Sequence, residues 1–211
     1  MNQKSLIKTL AVATAAALAL ACSAAQADFL HDETGLPNPE QTVDFESVAL
    51  GRSQPVTNEF ASLGLSFESA YANGDTTSPV LHISGNRIGN FQSGVSARTG
   101  FAIHFLAPVS AAAFALATAD GGQSTFEAYF HGSLVEAHQA PSGISSPVNF
   151  YGFTGIVFDE LRIRTDSFDH ALMIDNLQTT AAVPEPASAG LLLAGLLGLA
   201  GCLRRRNRAN A

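Results

Sequence analysis

The chain has 211 residues, 46% hydrophobic and 14% charged, with two cysteines and no tryptophan. Setting aside residues 1–27 and those after Val183 leaves 156 residues, enough for one buried core, carrying five arginines, no lysine and 17 acids. That core has a formal charge of −12 and nothing with which to neutralise phosphates, which excludes nucleic acid as a partner.

At the start of the chain, Lys4 and Lys8 precede an apolar run, Leu10–Ala21, interrupted only by Thr14. Ala25-Gln26-Ala27 follows as a small-residue cleavage site. This order predicts a secretory signal peptide over residues 1–27, cut by signal peptidase between Ala27 and Asp28. Processing at Cys22 is a competing route, since a small residue, Ala21, precedes the cysteine; the apolar residue usual three positions before it is missing. Residues 28–40, rich in proline and acids, read as a loosely held leader.

Residues 41–180 read as one all-β domain, because short alternating runs are separated by Gly, Pro, Asn, Asp and Ser. Phe101, Ile103 and Phe105 alternate with Ala102 and His104. Phe114, Leu116 and Thr118 alternate with alanines, and Phe126, Ala128 and Phe130 with Glu127, Tyr129 and His131. Each set falls on one face of a strand. Thr42–Ser47, Leu65–Ser69, Val80–Ser84, Leu134–His138, Val148–Phe153, Ile156–Thr165 and Ala171–Thr179 are further strand candidates. Within Ile156–Thr165 the alternation changes parity between Phe158 and Leu161, which predicts a bulge near Asp159-Glu160. About ten short strands over this length predict a two-sheet β-sandwich of jelly-roll type.

Residues 181–186 form a linker containing Pro184-Glu185-Pro186, whose prolines favour extended chain open to a processing enzyme. Ala187–Leu203 follows with Ser188 as its one clearly polar residue. At 1.5 Å per residue it spans about 25 Å, near the low end for a transmembrane helix. Residues 204–211 begin with Arg204, Arg205 and Arg206 and include Arg208. By the positive-inside tendency this basic tail is cytoplasmic and the β domain lies across the inner membrane. Cys22 and Cys202 both fall outside the β domain, which therefore has neither a disulfide framework nor a thiolate nucleophile.

A Pro-Glu-Pro triplet, an apolar helix and an arginine cluster, in that order on an exported chain, resemble the PEP-CTERM sorting signal of Gram-negative bacteria. The resemblance covers about the last 28 residues. It implies recognition of Pro184, Glu185 and Pro186 by an exosortase, a membrane-embedded transpeptidase. It further implies cleavage near that triplet, release or attachment at the cell surface, and company with exopolysaccharide and biofilm machinery. The β domain also resembles sandwich domains of PEP-CTERM proteins, which open with an Asp-Phe-Glu strand, here Asp44-Phe45-Glu46, and close with Ile-Asp-Asn-Leu, here Ile174–Leu177. In related carbohydrate-binding jelly rolls the first and last strands lie side by side and share a structural calcium.

Three chemistries are open to the core. Asp44, Glu46 and Asp175 offer hard oxygens suited to calcium, or else satisfy backbone donors at strand ends. Glu127, Tyr129 and His131, with His104 and the neighbouring Arg162 and Arg164, form a polar, partly aromatic face on which an exopolysaccharide could lie, or else an ordinary solvated surface. Glycoside hydrolysis needs two carboxylates across a cleft, and among 17 acids some proximity is expected by chance. No nucleophile elbow, zinc-helix motif or phosphate loop occurs. The sequence therefore favours an exported surface or matrix protein with a non-catalytic interaction domain, ahead of a carbohydrate-binding module and of a secreted hydrolase.

Overall fold

The computed structural model describes residues 28–74, 80–92, 100–167 and 169–182. The signal peptide and its cleavage site through Ala27, Pro184–Pro186, the 187–203 segment and the arginines at 204–208 lie outside them. The described chain forms eleven strands: β1 Asp28–Asp32, β2 Gln41–Val43, β3 Pro55–Val56, β4 Leu65–Glu68, β5 Ala70–Asn73, β6 Arg87–Gly89, β7 Gly100–Thr118, β8 Gly122–Phe130, β9 Ser133–Ser142, β10 Phe150–Thr165 and β11 Leu172–Ala181. A short 3₁₀ turn, Ala61–Leu63, is the one helical element described. None of the described helices is long and apolar enough to cross a membrane.

The fold is a jelly-roll-like β-sandwich whose two layers share their longest strands. The first half of β7 pairs with β4 and with the second half of β10, which in turn pairs with β8 and then β9. The second half of β7 pairs with β11 and with the first half of β10, which also holds β1. β11 carries β6 and β2 on its other side, and β6 leads to β5 and β3. β7 and β10 pass between the layers through a bend, where the register slips on either side of Phe158. The parity change read in Ile156–Thr165 is this irregularity: it keeps Ile156, Phe158, Leu161 and Ile163 all buried. Leu106-Ala107-Pro108, an exposed run, marks the same bend in β7.

Alternation drives the closure. Phe126 on β8 faces across the sandwich to Tyr151 on β10, with ring centroids 4.9 Å apart, and to Phe114 on β7 at 6.1 Å. Phe153 and Phe158 extend this aromatic core along β10. Full burial of each such ring contributes roughly 1.5–3 kcal/mol. At the other end of the core, a positive φ of 60° at Phe45 turns its ring inward against Phe60 and Phe67. Asp44 and Glu46 flank that turn on the outside.

Two expectations change. The 28–40 segment is not loosely held throughout: β1 pairs antiparallel with β10 from Asp28 to Asp32, and Phe29 stacks on His138 at 4.0 Å. The apolar pair Phe29-Leu30 outweighs the acids around it. Val80–Ser84 is not a strand but a tight loop closed by a Val80–Ile83 bridge. The first and last strands of the domain read from sequence do lie side by side, β2 against β11 at Val43 and Leu177.

Candidate functional site

Strand alternation puts one row of polar residues on the outer face of the β4–β7–β10–β8–β9 layer. Register places Glu160 between His104 and Tyr129, and Arg162 between Ala102 and Glu127. Arg162 bonds Glu160 through Nε, and its guanidinium carbon lies 4.2 Å from the centre of the Tyr129 ring. Arg164 pairs with Glu127, and the Tyr129 hydroxyl donates to Glu127 Oε2 at 3.2 Å. His104 stands 3.8 Å from Glu68 and 3.9 Å from Glu160, a contact that becomes ionic when the imidazole is protonated. The neighbouring carboxylates, Glu160 foremost, hold the Arg162 guanidinium above its usual pKa.

These pairs flank a groove of about 350 Å³ lined by Glu68, Ser69, Gly100, Ala102, Arg162 and Arg164. Its floor is low because the floor residues are small. A Cβ at Gly100 would stand 2.3 Å from the Ile163 carbonyl, so close approach of β7 to β10 requires glycine there. On the far side of Arg164 a second hollow of about 500 Å³ is bounded by Gln123, Thr125, Gln139, Asp166 and His170.

The structure thus brings together His104, Glu127 and Tyr129 of the predicted ligand face, with Arg162 and Arg164. It does not bring His131 to them: with φ of 50° it sits in the β8–β9 turn, where its amide and its ring both meet Asp159. Tyr129 offers no bare aromatic platform on the side that Arg162 covers. Tyr151 is buried between His31 and Phe126, its hydroxyl bonded to the Pro141 carbonyl. Glu68 and Glu160 were missing from the predicted face. Glu160 was legible, two residues from Arg162 and so on the same side of the strand.

Asp44, Glu46 and Asp175 gather around the loop at Ser84–Asn86. Asp175 accepts from the amides of Ser84 at 3.0 Å and Asn176 at 2.7 Å. Glu46 accepts from the backbone and side chain of Asn86, and Asp44 from the Glu46 amide. A Cβ at Gly85, already at φ of +58°, would run into Glu46 Oε1. Burial pushes the Asp175 carboxyl up to about 6; its two amide donors oppose that shift, and the charges of Glu46 and Asp44 add to it. The donor chemistry suits a hard cation. The geometry does not close on one: among the described residues no three His, Cys, Asp or Glu side chains converge at metal-holding distance.

Residues 182–207 match the model of the PEP-CTERM protein-sorting motif. The chain carries a PEP-CTERM sorting signal. That motif implies export, a precursor held at the membrane, exosortase processing and delivery to the cell surface. Among curated proteins none matches this chain. Solved structures that align with it include a family 6 carbohydrate-binding module, at 10% identity over 74% of this chain and 94% of that one, with a TM-score of 0.31. A second is the module CsCBM6-3 of Clostridium stercorarium with cellobiose, at 9% identity over 54% of this chain and 83% of that one, TM-score 0.31. A third is the CBM22-1–GH10 portion of Clostridium thermocellum xylanase 10B with xylohexaose, at 10% identity over 70% and 29% of the two chains, TM-score 0.37. Alignments this loose carry no argument about a ligand for this chain.

Proposed function

We propose that the mature protein is a non-catalytic interaction module displayed at the cell surface, with the open β4–β7–β10–β8–β9 face as its contact surface. In this reading signal peptidase removes residues 1–27 and the 187–203 helix holds the precursor in the inner membrane. Arg204–Arg206 and Arg208 keep the tail cytoplasmic, and exosortase cuts near Pro184–Pro186 to deliver the domain to the extracellular, exopolysaccharide-rich matrix of a biofilm.

One observation carries the choice of face. The outer side of the other layer is covered by the chain's own loop 80–86, whose Val80 and Ile83 pack on Ala115, Ala117, Phe150 and Met173. Among the described residues the polar face has no such cover, and it holds the groove over Gly100 and Ala102. Two of its carboxylates are committed to cations, Glu160 to Arg162 and Glu127 to Arg164, which disfavours them as the free acid–base pair that a hydrolase uses.

Carbohydrate is the second reading, supported by the groove. Paired guanidinium and carboxylate groups present donors and acceptors together, the chemistry that binds sugar hydroxyls. The test is calorimetric titration of the processed protein with exopolysaccharide from its own cells, beside Arg162→Ala. Heat of binding whose affinity falls about tenfold in Arg162→Ala supports a sugar-binding face. No heat in either protein leaves the face to protein partners. Calcium at Asp44, Glu46 and Asp175 is a separate proposal that requires Asp44 and Glu46 to turn from their Glu46 and Asn86 donors and close up on Asp175: added calcium should raise the melting temperature and lower the apparent pKa of Asp175, and an unchanged melting temperature contradicts it.

A further inference from the structure

The two ends of the sandwich are unlike each other. Asp28 pairs with Thr154, Thr154 with Ala111, and Ala111 with Thr180 on its other side. Residues 28 and 180 therefore stand in one row across four strands, about 14 Å apart at 4.8 Å per strand spacing. β1 starts and β11 finishes at that row, so the chain enters and leaves the domain at the same end, beside the bend of β7 and β10. The last described amide, Ala182 N–H, donates to the Pro108 carbonyl in that bend.

Exposed apolar side chains collect at this end. Of six large hydrophobic residues exposed among the described residues, four are here: Leu106, 61% exposed, Leu134, Val135 and Val157. Leu106 and Val157 are in the bend itself, and Leu134 lies opposite Tyr129, whose other neighbour is Glu160, just beyond the bend. Only four residues lie between Ala182 and Ala187, five Cα steps or at most about 18 Å of extended chain.

We infer that this end of the domain is a membrane-contacting surface, with Leu106 seated in the lipid headgroup layer while the precursor is anchored. The inference rests on the proposal that 187–203 spans the membrane. The short tether and the shared exit row press this end against the bilayer, and the exposed aliphatic side chains gain by leaving water there. The side-chain charges at this end include Asp28, Glu40 and Asp159, three acids against the one α-ammonium that signal cleavage leaves on Asp28, so the partner is a zwitterionic surface and not an anionic one. Docked in this way, the domain holds Pro184-Glu185-Pro186 at a fixed height above the membrane, within reach of a membrane-embedded enzyme.

The test uses the signal-cleaved precursor, residues 28–211, with Cys202→Ser, reconstituted in vesicles of phosphatidylcholine and phosphatidylethanolamine. An environment-sensitive fluorophore is placed at Leu106→Cys or, at the opposite end, at Gly121→Cys, where an added Cβ meets nothing within 4 Å. The label at 106 should blue-shift on vesicle association and be quenched by headgroup-level nitroxide lipids, that at 121 should show neither change, and Val157→Cys should repeat the result at 106. If the chain floats with the vesicles but the labels at 106 and 121 behave alike, the contact is refuted and the anchor stands. A chain that does not float with the vesicles overturns the anchor, and the contact falls with it.

Discussion

The two outer faces of the sandwich are built from the same strands and end up in opposite conditions. On one, the outward positions of the second half of β7 are alanines, and the 80–86 loop lies down on them. It is fastened there by Asp175 to Ser84, Asn176 to His82 and Asn149 to Leu81. On the other, the outward positions include Arg, Glu, His and Tyr, which pair with one another, with Glu160 buried beneath and Arg162 and Arg164 half exposed. Small side chains invite the chain's own cover, and paired charges keep a sheet face free for a partner.

The largest effects should come from breaking that contrast. Ala115→Asp puts an unpaired carboxylate under the covering segment and should cost about 3–5 kcal/mol. Ala137→Asp, on exposed β9, should change stability by no more than about 0.5 kcal/mol. Denaturant midpoints of the two variants measure the difference, and equal shifts would mean that the first face is not sealed.

Asp175 comes next. Its carboxyl lies at about 6 in the fold against an ordinary 3.8, so the native state binds the proton more tightly than the unfolded chain. Its ionisation therefore costs stability above about pH 6, and that cost fades as pH falls through the window from about 6 to 3.8. Two pH units correspond to roughly 3 kcal/mol. The stability of wild type relative to Asp175→Asn should rise as pH is lowered through this window; a flat difference would show that Asp175 does not titrate there.

Smaller still is Arg162→Ala. It frees Glu160 and uncovers Tyr129, and should weaken binding at the open face about tenfold, in line with loss of one hydrogen bond to a charged group. Stability should change by less than about 1 kcal/mol, because the arginine side chain is half exposed. Loss of fold instead of binding would make the pair structural.

Much of the fold was legible where apolar residues alternate: Phe101 to Phe105, Phe114 to Leu116, and the parity change in β10 that became the bend. The continuity of β7 was hidden, because Leu106-Ala107-Pro108 reads as a break although the strand runs through it. β1 was hidden by the acids around Phe29. The cover over Ala115 and Ala117 depends on side-chain to backbone bonds from Asp175, Asn176 and Asn149, which have no periodic signature. At the polar face, Arg162, Arg164, Glu127 and Tyr129 were visible from strand parity. His131 was misplaced because a positive φ in the turn takes it out of the alternation.

The sorting signal tests the account most directly, through the intact mass and cell fractionation of the protein from its native cells. The expected species begins at Asp28, ends within Pro184–Pro186 and is found outside the inner membrane, and Glu185→Ala is expected to stay in the membrane uncut. A wild-type chain with an intact C-terminus in the inner membrane, or Glu185→Ala processed as wild type, would contradict it.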